Sequence, residues 1–187
     1  MPTTKTTPHR VNGVDLSVLN ETISAIQADP DLGKSRFRAR NTWISGTRNR
    51  STLTDFYAAK EEMAHEQPFE LDADEPPILA GEDEAPNPVE HLLNALAGCV
   101  TTSMVAHAAV RGISIDALES ELEGDIDLNG FLGLDPDVPK GYTDIRVSFK
   151  VQTDRKNMRR LKELAAFSPV YNTLLHGTNV EISLESM

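Results

Sequence analysis

The chain has 187 residues, with a hydrophobic share of 39% and a charged share of 25%, as in one sizeable globular domain with a small appendage. Its 29 acidic and 18 basic residues give a formal net charge of −11, so we expect it to bind neither nucleic acid nor a membrane surface. The single cysteine, Cys99, excludes an internal disulfide and a cysteine-rich zinc site.

The N-terminal region is predicted to be an extension of the main domain. Its first eight residues, MPTTKTTP, have no apolar core of the kind found in signal peptides, so we expect a cytoplasmic protein. Residues 14–28 carry apolar side chains at helical spacing, which predicts a short amphipathic helix. These side chains are Leu16, Leu19, Ile23 and Ile26. We therefore predict an extension over residues 1–34 and one domain over residues 35–187.

Residues 35–71 are predicted to form three strands. Residues 35–45 alternate between an arginine face, with Arg36, Arg38 and Arg40, and a face that contains Trp43. A turn at residues 46–49 predicts a hairpin with a second strand over residues 50–60, and a third strand follows at 66–71. Because the chain is acidic, we interpret the arginines as solvated or paired with nearby carboxylates, rather than as a nucleic-acid surface.

Two acidic stretches raise the question of a metal site. Residues 72–86 contain clustered carboxylates but no recognised ligand spacing, which indicates a solvated loop. Residues 125–131 match the first half of a calcium-binding EF-hand loop, but Pro136 occupies the position of its bidentate glutamate. We interpret this stretch as a turn and expect no metal or other cofactor.

One long helix is predicted over residues 87–112, around Cys99. Asn87 suits its N-cap, Pro88 its first position, and Gly112 its C-terminal end. Glu90 suits the third helical position, where a carboxylate can accept hydrogen bonds from exposed N–H groups. The residues between these ends are apolar or small on nearly every face, which predicts a helix buried inside the protein. Polar residues interrupt the apolar run well below membrane length.

The remaining elements complete an α+β pattern. We predict strands over residues 114–127 and 142–152, a helix over 155–167, a second helix capped by Ser168 and Pro169, and a last strand over 179–184. Strands joined as hairpins, with the helices segregated from them, are typical of an α+β fold. A sheet of this size cannot cover all faces of the long helix, so we predict that the helix packs against a second copy in a homodimer.

Two motifs in this pattern resemble those of the OsmC/Ohr family, the osmotically inducible and organic-hydroperoxide-resistance proteins. The first is NPVEHLL at residues 87–93 with ALAGC at 95–99, and the second is SPVYNTL at residues 168–174, where the family usually has a Cys-Pro dipeptide. The resemblance extends over most of the chain except the N-terminal extension. It implies an antiparallel sheet with a long buried central helix, in an intertwined homodimer with two sites at the subunit interface.

The resemblance also implies a chemistry. Cys99 matches the cysteine that attacks the peroxide, and Ser168 stands at the position of the second cysteine. A hydroxyl cannot form a disulfide, so an external thiol or dithiol would have to reduce oxidised Cys99. The substrate would be an organic hydroperoxide with an apolar tail. The alternative is a binding or sensing protein that keeps the dimer pocket and has lost the two-cysteine cycle.

Other residues of the implied site depart from the family pattern. Val89 stands where the family has a glutamate, and Glu90 would point about half a turn away from Cys99, which favours a capping role. A thiolate in the middle of a helix needs a nearby cation. Arg48 is the first candidate for that cation, with Arg50 and Arg40 behind it. The remaining candidates are His91 and His107. We interpret both as structural histidines, because no nucleophile–base–carboxylate pattern can be recognised around them.

Overall fold

The computed structural model describes residues 9–186, which divide into two compact units. Residues 9 and 15–92 belong to the first unit, and residues 10–14 and 93–186 belong to the second. The domain boundary predicted between residues 34 and 35 remains a prediction.

The described chain begins with a short strand pair and a helix. Strands β1 (Arg10–Val11) and β2 (Val14–Asp15) precede helix α1 (Leu16–Ala28), which confirms the helix predicted from apolar spacing. The Asp15 carboxylate accepts hydrogen bonds from the first N–H groups of α1 and so caps it. A 3₁₀ turn over Pro30–Gly33 then leads into the sheet of the first unit.

That sheet is antiparallel and is built around one central strand. β3 (Arg36–Phe37) and β4 (Arg40–Ser45) pair along one edge of β5 (Arg48–Ala58), and β6 (Glu61–Ala73) pairs along the other. The predicted hairpin is confirmed, although its first strand is interrupted between β3 and β4.

β6, which corresponds to the third predicted strand, is much longer than the predicted 66–71. Residues 61–66 carry no strand pattern of their own, and residues 61–64 become strand because their backbone groups pair with residues 55–58 of β5. The loop that follows β6 contains one 3₁₀ turn, Pro77–Leu79.

The second unit is organised around the long helix, whose first residues lie in the first unit. Helix α2 runs over Pro88–Val110, as predicted, and is followed by β7 (Ala117–Ile126), α3 (Leu128–Phe131) and β8 (Tyr142–Gln152). β7 and β8 pair antiparallel. After a 3₁₀ turn at Arg155–Asn157 come α4 (Met158–Ala165) and α5 (Pro169–His176), which correspond to the two predicted helices. The first of them is shorter than the predicted 155–167, because its first three residues form the 3₁₀ turn. The core cluster of this unit consists of Leu96, Val100, Met104, Ala108, Leu161 and Leu164.

The prediction that α2 is buried on nearly every face is wrong for the single chain. One stripe of the helix is buried, whereas the opposite stripe, with Ala95, Gly98 and Thr102, is exposed to solvent. Within residues 9–186, α2 is the one helix long and apolar enough, by length and composition, to cross a membrane. Its buried stripe packs in the core cluster, as the main helix of a soluble protein does.

The predicted last strand over residues 179–184 is also wrong for the single chain. These residues are irregular, and Val180, Ile182 and Leu184 are 77%, 85% and 94% exposed. Alternating apolar residues become a strand when a neighbouring edge satisfies their backbone groups, and in the described part of the chain none of the strands pairs with them.

The stretch that resembles half of an EF-hand has a structural role. The Asp127 carboxylate accepts a hydrogen bond of 2.8 Å from the backbone N–H of Asn129 and so caps the single turn of α3. Asp125 is ion-paired with Arg146 on β8. Where the sequence predicts a turn, the structure therefore has a strand end followed by one capped helical turn.

Candidate active site

Cys99 lies on α2 between the buried and the exposed stripes of the helix. Its thiol is free and half-buried. The neighbouring Val100 is 3% exposed and belongs to the core cluster, whereas Gly98 is exposed. Partial burial places the thiol next to apolar surface and leaves it accessible to a reagent, whereas a reactive thiolate also requires a nearby cation.

The start of α2 is fixed by a reciprocal pair of hydrogen bonds. The Asn87 side-chain oxygen accepts from the Glu90 N–H, and the Glu90 carboxylate accepts from the Asn87 N–H, both at 2.9 Å. This is a capping box, and it confirms the predicted capping role of Glu90. Cys99 lies more than two turns further along, where the charge of the helix end no longer acts.

Arg48, the first candidate cation, is held by carboxylates of its own unit. It is the first residue of β5, and its guanidinium pairs with Glu84 and lies 3.5 Å from Asp72. Its Nε is buried and has no hydrogen-bond partner among the residues that the structure describes. Arg48 belongs to the first unit and Cys99 to the second. Within the first unit, two carboxylates therefore compensate the charge of Arg48.

The two other candidate arginines are paired as well. Arg50 forms a two-pronged pair with Asp72, at 2.5 and 2.9 Å, and these bonds hold the pKa of Asp72 at about 2. Arg40 pairs with Asp55 at 2.5 Å, and Arg38 pairs with both Asp55 and Glu62. Two of the three arginines at residues 36–40 are thus paired with carboxylates, in agreement with the interpretation from the sequence.

Asp74 is a structural residue that the sequence analysis missed. It is 2% exposed, and its carboxylate accepts hydrogen bonds from the Thr47 hydroxyl and from the backbone N–H groups of Glu75, Glu82 and Glu84. These bonds, with that from Thr47 the strongest, lower the pKa of Asp74 to about 2. Asp74 therefore anchors the acidic loop and positions Glu84, the partner of Arg48. In the sequence it is one acid among many, so no local signal distinguishes it.

Ser168, which the motif resemblance aligns with a second cysteine, is fully buried and caps α5. Its hydroxyl oxygen accepts a hydrogen bond of 3.2 Å from the Tyr171 N–H, and Pro169 occupies the first helical position. The Asn172 side chain donates to the Ser168 carbonyl at 2.8 Å and reinforces the turn. Ser168 thus has the structural role that its sequence pattern predicts, and its hydroxyl is engaged in that role.

Both histidines have structural environments. The His91 Nε2 donates to the Asp72 carbonyl at 2.9 Å and ties the start of α2 to the end of β6. The His107 ring stacks on Phe167 with centroids 4.1 Å apart, and its Nδ1 accepts from Arg111 at 3.3 Å. Burial, and then the charge of Arg111, lower the pKa of His107. Neither contact involves Cys99.

A cavity of about 620 Å³ lies in the second unit, and no sequence pattern predicts it. Its walls are mainly apolar side chains of α2, β8 and α4, with Val100 and Met104 contributed by α2. Cys99 is not among its lining residues. The residue next to the thiol therefore borders a space of the size of a small-molecule site.

The fold and this site define a class of protein: an α+β protein whose core helix carries one half-buried thiol. The chain belongs to the OsmC-like protein family, whose model matches residues 81–183, from the acidic loop into the C-terminal segment after α5. No curated protein sequence matches the chain.

Several solved structures share this fold. An OsmC-like protein from Mycoplasma pneumoniae is 16% identical with a TM-score of 0.56, over 76% of this chain and 89% of its own. The organic hydroperoxide resistance protein OsmC from Legionella pneumophila is 17% identical with a TM-score of 0.52, over 75% and 90%. An OsmC-like protein of unknown function from Vibrio cholerae is 11% identical with a TM-score of 0.52, over 75% and 94%. At these identities the likeness shows the fold.

Proposed function

We propose that this protein reduces organic hydroperoxides through Cys99, with an external thiol or dithiol as the reductant. The observation that carries the proposal is the free, half-buried Cys99 on the core helix of an OsmC-like fold. The name of the similar Legionella pneumophila protein, an organic hydroperoxide resistance protein, supports the choice of substrate. A cytoplasmic location suits this chemistry, because a reducing compartment supplies the thiols.

The reaction requires one protein thiol and two external thiols. The Cys99 thiolate attacks one oxygen of the O–O bond, which breaks, and the sulfur becomes a sulfenic acid while the alkoxide takes a proton and leaves as an alcohol. One external thiol then condenses with the sulfenic acid, releasing water and forming a mixed disulfide. A second external thiol attacks that disulfide and regenerates Cys99. Ser168 takes no part, because its hydroxyl caps α5.

We also propose that the protein acts as a homodimer. The exposed stripe of α2 consists of small residues, Ala95, Gly98 and Thr102, which allow two helices to approach closely. The apolar residues of the C-terminal segment, such as Val180 and Ile182, are exposed in the single chain and would be covered by a second copy. A dimer that uses these two surfaces would therefore remove both of them from solvent.

A second candidate function is a binding or sensing protein without turnover. Two observations favour it. Arg48 is compensated by Glu84 and Asp72 within its own unit, and Ser168 stands where a second cysteine is expected. Neither feature disturbs the fold. The two-cysteine cycle, however, uses a cation near the thiol and a second thiol.

Trapping of the sulfenic acid and measurement of hydroperoxide turnover distinguish the two functions. The full chain is mixed with cumene hydroperoxide and dimedone, which captures sulfenic acid, and the adduct is located by mass spectrometry. In parallel, consumption of the hydroperoxide is followed with excess dithiothreitol. We expect a dimedone adduct at Cys99 and consumption of many equivalents per chain.

The control is Cys99→Ser, which should show neither the adduct nor consumption above the rate without protein. Wild-type protein that gives no adduct and consumes no hydroperoxide would reject the peroxidase and leave the binding function. An adduct without repeated turnover would show that the thiol reacts but that dithiothreitol cannot reduce it, and would likewise reject the proposed cycle with this class of reductant.

A further inference from the structure

The cavity of about 620 Å³ in the second unit has the walls of a site for an aliphatic chain. Val147, Phe149 and Val151 of β8 form one side, and Val100 and Met104 of α2 contribute to another. The volume lies within the roughly 300–1,000 Å³ that small-molecule sites occupy. Apolar walls favour an apolar occupant, because its burial removes both surfaces from water.

The charged residues of the cavity are both cations on α4. Arg159 and Lys162 line it, and none of the carboxylates among residues 9–186 does so. Both side chains are exposed to solvent, so their charges lie at the opening rather than in the interior. Arg159 lies 3.5 Å from Glu163, whereas Lys162 has no carboxylate within salt-bridge distance in the described part of the chain. In a chain with a net charge of −11, an opening lined by cations alone differs from the general surface.

We propose that this cavity binds an aliphatic carboxylate, with the hydrocarbon chain inside it and the carboxylate at the opening, next to Lys162 and Arg159. The charge complementarity selects this occupant over a neutral apolar molecule. The site is separate from the thiol chemistry, because Cys99 does not line the cavity. The proposal therefore does not depend on the peroxidase function.

The first test compares two ligands that share a chain length and differ in charge. Decanoate and decyltrimethylammonium are titrated into the full chain by calorimetry, below their micelle concentrations. Generic attraction to a protein of net charge −11 would favour the cation. We expect decanoate to bind at one site per chain, and at least about tenfold more tightly than decyltrimethylammonium. Equal or tighter binding of the cation would overturn the proposal.

The second test uses variants with matched controls. Lys162→Gln should weaken decanoate binding about three- to fivefold, as expected for one partly exposed ion pair. Lys150→Gln, on an exposed lysine of β8 that does not line the cavity, should leave it unchanged. Val147→Trp should fill the cavity and abolish binding, whereas Ser148→Trp, on the next residue of the same strand, should not.

Decanoate binding to the Cys99→Ser variant tests whether the cavity is independent of the thiol. Decanoate should bind this variant as tightly as it binds the wild type, whether or not the wild type reduces hydroperoxides. Loss of binding in Cys99→Ser, or undiminished binding in Val147→Trp, would overturn the proposal. Absence of decanoate binding, with a change of oligomeric state in Val147→Trp, would assign the cavity to a second copy.

Discussion

The Thr47 hydroxyl donates a hydrogen bond of 2.7 Å to the buried Asp74 carboxylate. Thr47 lies in the turn between β4 and β5, and Asp74 directly follows β6. The bond therefore connects the β4–β5 turn to the end of β6. The same carboxylate accepts three backbone N–H groups of the acidic loop, including that of Glu84. One buried acid thus shapes the loop and positions the carboxylate that pairs with Arg48.

Replacing this acid should change stability in a pH-dependent way. The fold lowers the pKa of Asp74 from 3.8 to about 2, so its charged form stabilises the native state above about pH 4. That contribution is lost as the pH falls from about 4 towards 2. We expect Asp74→Asn to be less stable than the wild type at pH 7, and to lose less stability between pH 4 and pH 2. The decline should not vanish, because the pKa of Asp72 is also lowered to about 2.

The measurement is urea unfolding followed by circular dichroism at pH 7, 4 and 2.5. Asp83→Asn is the matched control, because Asp83 is an exposed acid of the same loop. It should follow the wild type at all three pH values. If Asp74→Asn instead shows the same stability and the same pH dependence as the wild type, Asp74 does not anchor the loop.

The core cluster should depend on α4. Leu164 is 0% exposed and packs with Leu96 and Val100 of α2 in that cluster. Leu164→Ala should lower the free energy of unfolding by about 2–5 kcal/mol, because it removes buried apolar contacts and leaves a cavity. Leu175→Ala, at a position 59% exposed, should change it by no more than about 0.5 kcal/mol. Similar effects of the two changes in denaturant unfolding would contradict this core.

Gly98 provides a test of the proposed dimer. A Cβ added at Gly98 would meet nothing within 4 Å in the single chain, so Gly98→Leu causes no clash there. It should even favour the helix by up to about 1 kcal/mol, since glycine is a poor helix former. If two α2 helices meet at this stripe, however, the added side chain must separate them.

We therefore expect Gly98→Leu to raise the dimer dissociation constant at least about tenfold, measured by sedimentation velocity over a range of concentrations. The smaller change Gly98→Ala is the control and should have a much weaker effect. A dimer that is unaffected by Gly98→Leu would place the interface elsewhere.

Ser168 allows its capping role and its motif position to be tested separately. Ser168→Ala removes the acceptor for the Tyr171 N–H and should cost about 1 kcal/mol of stability, measured by thermal or urea unfolding. Ser168→Cys introduces the residue that the motif resemblance implies at this position. We expect it to form an intramolecular disulfide with Cys99 after one equivalent of hydroperoxide, detected as protection of both thiols from alkylation.

The double variant Cys99→Ser with Ser168→Cys is the control for that disulfide and should keep one free thiol. If Ser168→Cys keeps both thiols free after reaction with hydroperoxide, Ser168 does not occupy the resolving position that the motif implies. An unchanged stability in Ser168→Ala would contradict the capping role.

The features that the sequence by itself determined depend on residues a few positions apart. Asn87 and Glu90 define the start of α2, because a capping box involves a four-residue segment. Ser168 with Pro169 defines the start of α5 in the same way. The alternation along β8 predicted its bounds, and the motifs around Cys99 and Ser168 indicated the OsmC-like family that residues 81–183 match.

The tertiary structure alone decided the features that depend on distant residues. Asp74 is buried because Thr47, 27 positions away, and the following loop donate to it, and β6 extends to Glu61 because β5 pairs with it. Residues 179–184 have the strand pattern without a strand, since such a pattern needs a partner edge. The cavity beneath α4 likewise exists only where α2, β8 and α4 converge. Local sequence sets caps and periodicity, whereas burial and pairing follow from which surfaces meet in three dimensions.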